Sequence, residues 1–189
     1  MMSVRVPWLA SLAVLYLAVL LTGAVDPATT DALKVEHLLK TIETHPDRSA
    51  DKDLTAEVTE QELNAYIAYR LAREKGQPID RLKVRLLDRN RIHGKIRLDA
   101  AQLNLGVLLG DDLDFDFEGL VHSRNGAVRL ELAELRLRGH PMDPQLADMI
   151  LDAASLCTGT QLGRIGDWYA MPKGIKQITV TRGKAVVHY

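Results

Sequence analysis

Asp112, Asp114, Asp116 and Glu118 form the densest set of candidate ligands in the chain. Asp112, Asp114 and Asp116 match the first three odd positions of a calcium-binding loop, whose carboxylate oxygens surround the ion. The sixth position of such a loop must turn sharply and is usually Gly, but it is Phe117 here. Leu113, Phe115 and Phe117 alternate with the acids, which is the period of a strand. The pattern predicts a row of solvated carboxylates on one sheet face, with cation binding as the alternative. Arg129 and Arg136, on a neighbouring strand, are the expected cross-strand partners.

Other reactive groups are scattered. His37, His45, His93, His122, His140 and His188 share no metal-ligand spacing. The chain has no His-Glu-x-x-His, Cys-x-x-Cys or Gly-x-Ser-x-Gly motif. Cys157 is the only cysteine, so no intrachain disulfide forms. Its place beside the apolar face of a predicted helix makes it an inert thiol. Ser155, Cys157 and His140 would be the candidates for a hydrolase, but no spacing joins them as a nucleophile and its base. The expectation is therefore a non-enzyme with no cofactor and no metal.

These groups must be positioned by elements legible in the sequence. The first is an uncharged run from Val6 to Val25, flanked by Arg5 before and by Asp26 and Asp31 after. Twenty helical residues reach about 30 Å, roughly the hydrocarbon thickness of a bilayer. The run predicts a membrane helix, N-terminus in the cytoplasm and body outside, with a signal peptide cleaved near Thr22-Gly23-Ala24 as the alternative. No Cys lies near it to carry a lipoprotein anchor. All Lys, Arg, Asp and Glu except Arg5 lie beyond residue 25, and the whole chain has a net charge of −1. That balance gives no reason to expect nucleic acid as a partner.

Val35, Leu38, Leu39 and Ile42 predict an amphipathic helix over 31–44, stopped by His45-Pro46. Residues 46–58 are polar and read as a connector. Thr59 and Glu62 form a capping-box pair before Leu63, Ile67 and Leu71, predicting a helix over 60–75 closed by Gly76 and Pro78. The period then becomes two. Leu82, Val84 and Leu86 alternate with Lys83 and Arg85; Ile92, Ile96 and Leu98 alternate with His93, Lys95 and Arg97. Further strands follow around 113–118 and, after the Ser123-Arg124-Asn125-Gly126 turn, 128–137. Asp143-Pro144 starts a helix with Leu146, Ile150 and Ala153 on one face. Residues 160–174 read as loop, and 175–189 as a closing hairpin. The fold class expected is α+β: an N-terminal transmembrane helix, then a curved antiparallel sheet covered by two long helices. The divisions are 1–25, 26–58 and 59–189.

The stretch Thr59-Glu60-Gln61-Glu62-Leu63-Asn64-Ala65-Tyr66-Ile67 resembles the start of a bacterial envelope family typified by mycobacterial LmeA and YpmS-like proteins. The order that follows is also similar: strands, the Gly126-Ala127-Val128-Arg129-Leu130-Glu131-Leu132 strand, the His140-Pro141-Met142-Asp143-Pro144 turn, and Met171-Pro172-Lys173-Gly174-Ile175 before a last hairpin. The resemblance covers about residues 59–189 and implies a tubular lipid-binding-like module without catalytic residues.

Together these readings predict a membrane-tethered lipid-binding or lipid-transfer module on the periplasmic side of the inner membrane. A phospholipid-like ligand would lie among Leu63, Ile67, Leu82, Val84, Leu86, Ile96, Leu98, Phe115, Phe117, Leu130, Leu132, Leu146 and Ile150. Trp168, Tyr169 and Met171 would form its rim or touch the membrane. The alternative is a structural subunit of an envelope membrane-protein complex, using the charged sheet face and the first helix as contacts.

Overall fold

The two periods of the sequence, 3.6 and 2, sort the chain into helices and strands. The computed structural model describes residues 27–44, 54–74, 79–100, 102, 112–149, 152 and 164–189. Helix α1 spans Pro27–Thr44 and buries Ala32, Val35 and Ile42. Strand β1, Thr55–Thr59, leads directly into helix α2, Glu60–Arg73. The capping box is formed in full: the Glu62 N–H donates to Thr59 Oγ1, and the Thr59 N–H to Glu62 Oε2. Glu60 and Glu62 in the first turn, and Arg70 and Arg73 in the last, complement the helix dipole.

Strands β2 (Ile79–Leu86), β3 (Arg91–Asp99), β4 (Asp112–Arg124) and β5 (Ala127–Leu137) form an antiparallel meander. Short strands β6 (His140–Pro141) and β7 (Tyr169–Ala170) add to β5. This large sheet curves into a half-barrel. Strands β8 (Gln177–Thr181) and β9 (Lys184–His188) form the closing hairpin, and β1 pairs with β9 to complete a second, three-stranded sheet. Residues 55–59, read as the end of a connector and the start of a cap, are thus a strand. Their partner is the other end of the chain, which no local period reveals.

Three core clusters follow. Leu98, Leu113, Phe115, Phe117, Leu135 and Ala147 form the first, on the concave face of the large sheet. Val35, Ile42, Val58, Ile175 and Val187 join α1 to the small sheet. Val84, Leu86, Val180 and Ala185 hold the junction, covered by Leu63 and Ile67 of α2. Helix α1 is therefore built into the fold, joined to α2 by Asp31, which accepts from Gln61 at 2.7 Å, and by Lys34, which pairs with Glu62 at 3.5 Å. Two glycines are fixed by close approach. A Cβ on Gly94 would lie 2.1 Å from the Phe117 ring. Gly174, at φ +96°, leaves no room for one beside Ile42.

The two sheets meet without a continuous ladder. Side chains stand in for the missing strand. Ser123 Oγ accepts from the Ile178 N–H at 2.9 Å and donates to the Ile178 carbonyl at 2.7 Å. Asn90 accepts from the Val180 N–H through Oδ1 at 2.7 Å, while its own N–H donates to the Val180 carbonyl. On the free edge of β2, Asn64 brackets Val84, accepting at 2.8 Å and donating at 2.7 Å, and Glu60 accepts from the Leu86 N–H. Each bracket satisfies backbone groups that would cost about 1–3 kcal/mol if left buried and unpaired.

The expected membrane architecture is corrected here. No helix among the described residues is long and apolar enough to cross a membrane, and the run Val6 to Val25 lies outside the described residues. The sheet is a half-barrel rather than a closed tube. The second covering helix is described only over 144–149 and at 152, so most of the predicted 143–159 segment also lies outside. The long helices that pack together are α1 and α2.

The Asn64 bracket yields a direct test. Asn64→Ala should lower the free energy of unfolding by about 1–3 kcal/mol, since Val84 loses both partners. Urea denaturation measures this; a change below about 0.5 kcal/mol, within the range of ordinary surface substitutions, would show that the bracket is dispensable.

Candidate functional site

The residues expected to hold a lipid are divided between two clusters. Leu98, Phe115 and Phe117 are buried in the first, with Leu82, Ile96, Leu130 and Leu132 packed against it. Val84 and Leu86 belong to the junction with Leu63 and Ile67. Leu146 is exposed, and Ile150 lies outside the described side chains. A cleft of about 420 Å³ is lined by Ala68, Leu71, Ala72, Ile79 and Leu82 together with Asp80, Arg81, Asp99 and Gln102. Of the expected ligand residues, Leu82 alone lines it. The described residues thus use the apolar faces as core. With no membrane-crossing helix among the described residues and no pocket there built from the expected ligand residues, the lipid-binding or lipid-transfer reading, its inner-membrane placement and its phospholipid, membrane and membrane-complex partners are corrected.

Of the expected rim residues, Trp168 and Tyr169 are exposed. Met171 packs beside the α1 cluster. The Trp168 ring lies under two guanidiniums, with Arg124 Cζ at 4.4 Å and Arg129 Cζ at 5.1 Å from its centroid. Tyr169 pairs with Val128, and its hydroxyl donates to the Arg164 carbonyl at 2.6 Å. Ser155 and Cys157 lie outside the described residues, and His140 is exposed in β6. Among the described residues no group of His, Cys, Asp or Glu is arranged to hold a metal.

What the fold does assemble is a charged outer face. Alternation in β2 sends Arg81, Lys83 and Arg85 outward, and alternation in β3 does the same for Arg91, His93, Lys95 and Arg97. The β2–β3 register sets Arg81 opposite Arg97, Lys83 opposite Lys95, and Arg85 opposite His93. Neither strand carries a carboxylate within 81–85 or 91–97. Directly opposed like charges destabilise a strand pair. Here this happens at two successive outward positions, Arg81–Arg97 and Lys83–Lys95, while Arg85 faces the His93 imidazole.

The acids of β4 relieve one side of the array. Arg97 Nε donates to Asp114 at 2.8 Å. Asp116 takes His93 at 2.5 Å and Lys95 at 3.3 Å, and Arg91 meets Glu118 at 3.3 Å. These partners come from β3, not from Arg129 and Arg136 as the sequence suggested. Arg136 turns to Glu134, and Arg129 to Glu131 and Trp168. Arg97 holds the Asp114 carboxyl below its ordinary value of 3.8. For Asp116, burial pushes upward, but hydrogen bonding and charge from His93, followed by Lys95, outweigh it and keep the group below the usual range. Lys83 and Arg85, both exposed on β2, have no carboxylate partner among the described residues.

The alternation of these cations was readable in the sequence. Their confrontation was not, because it depends on the Asp88–Asn90 loop, whose length fixes the register. Arg89 and Asn90 both take positive φ there. No family model, no curated protein and no solved structure matches this chain. The resemblance noted from the sequence rests on its quoted residues alone.

The pairing of Asp114 can be tested by acid titration. A carboxyl with a lowered folded pKa contributes stability above its unfolded value and loses it as the pH falls through the folded one. Arg97→Gln should therefore raise the Asp114 midpoint toward 3.8, read from side-chain carbonyl NMR shifts. An unmoved midpoint would assign the lowering to another group.

Proposed function

We propose that this chain is a non-catalytic binding module that docks an acidic partner on the outer face of β2 and β3. The observation that carries the reading is the two like-charge cross-strand pairs, Arg81–Arg97 and Lys83–Lys95, with Arg85 beside them facing His93. Exposed ion pairs contribute about 0–1 kcal/mol each, so the cations add little to folding, and their opposition works against it. A local rule broken without structural return is the mark of a functional surface. The chain as a whole is slightly acidic, at −1, so this face is a local concentration of positive charge and not a consequence of composition. Such a patch steers an oppositely charged partner and fixes its register.

Lys83→Glu/Arg85→Glu tests the proposal. Binding of labelled poly-glutamate, followed by fluorescence anisotropy at low salt, should weaken by at least about tenfold, one 1.4 kcal/mol step. Lys40→Glu/Lys173→Glu changes the net charge equally, on α1 and on the loop before β8, and should leave binding near the wild-type value. The melting temperature of the first variant should hold or rise, since each new Glu faces Lys95 or His93. Equal losses in the two variants would reduce the effect to net charge and refute a specific face.

A further inference from the structure

The geometry of the basic face specifies the form of its partner, and this step rests on the docking proposal above. Along β2, Arg81, Lys83 and Arg85 are spaced by two residues, a repeat of about 6.7 Å. The β3 row lies about 4.8 Å to one side. An extended polypeptide laid along the face presents alternate side chains at the same repeat. The molecule already contains one instance of this match. Asp114, Asp116 and Glu118, two residues apart on β4, meet Arg97, then Lys95 with His93, then Arg91. The β4 acids thus complement β3 and, through Asp114, also act on Arg81, whereas Lys83 and Arg85 of β2 keep the same spacing with no carboxylate partner among the described residues.

We infer that the partner segment is an extended acidic strand with a carboxylate at every second residue, aligned with Arg81, Lys83 and Arg85. Charge complementarity in one direction only favours this form. The β4 carboxylates lie two strands from β2, about 10 Å away and so about one Debye length at moderate salt. A nucleic acid, charged at every unit and wider than one strand, would be repelled by that row. Neither β2 nor β3 contains Phe, Tyr or Trp on which bases could stack. A single strand of peptide covers the cations and clears the acids.

Two peptides of identical composition decide the matter, one alternating Asp with Thr and one with its Asp residues contiguous. A single-stranded oligonucleotide of the same length is the third probe. The full chain should bind the alternating peptide about threefold to tenfold more tightly than the contiguous one, the value of one or two exposed ion pairs. Lys83→Glu/Arg85→Glu should abolish the difference. Equal binding of the two peptides would overturn the alternating strand and leave an acid-binding face. Tighter binding of the oligonucleotide would overturn it in favour of a polyanion. Failure of all three probes to bind would overturn the docking proposal itself.

Discussion

The fold depends on satisfying the exposed edges of two strands with side chains. Ile178 and Val180 of β8 turn their backbone groups toward the tips of the β2–β3 and β4–β5 hairpins, where Asn90 and Ser123 receive them. Val84 on β2 is received by Asn64 in the same way. An unpaired strand edge is a template for unwanted association, and a buried one carries an energetic penalty. The brackets remove both problems, and those of Asn90 and Ser123 tie the two sheets together. They also bring α2 against β2, so that Leu63 and Ile67 cover Val84 and Leu86.

That arrangement decides which surface is left for binding. The concave face of the large sheet is core, with Phe115 and Phe117 buried and the Phe117 ring set against Gly94. The edge of β2 is occupied at Val84 and Leu86. The convex face of β2 and β3 remains in water with its cations opposed. Solvent screening makes that opposition tolerable, and the same screening makes any partner bound there sensitive to salt.

Local features were legible in the sequence because they rest on neighbouring residues. Thr59 and Glu62 announced the start of α2. The alternation of Leu82, Val84 and Leu86 with Lys83 and Arg85 announced β2 and its faces. Asn125-Gly126 announced the hairpin, and both residues have positive φ. The roles of Asn64, Asn90 and Ser123 were hidden, since the backbone each one brackets lies 20, 90 and 55 residues away. Strand β1 was hidden for the same reason. The apolar faces were read correctly as inward, but periodicity does not separate a lined cavity from packed core. The partners of Asp114 and Asp116 were misplaced because both flanking strands offer arginines, and only the observed side-chain geometry selects Arg97 and His93.

The most direct measurement of the docking face is a backbone amide NMR titration of the full chain with poly-glutamate. Shift changes centred on Arg81–Arg85 and Arg91–Arg97, fading across β4 and absent from α1, are the predicted result. Changes spread over α1 and the β8–β9 hairpin, with those two strands unaffected, would contradict it.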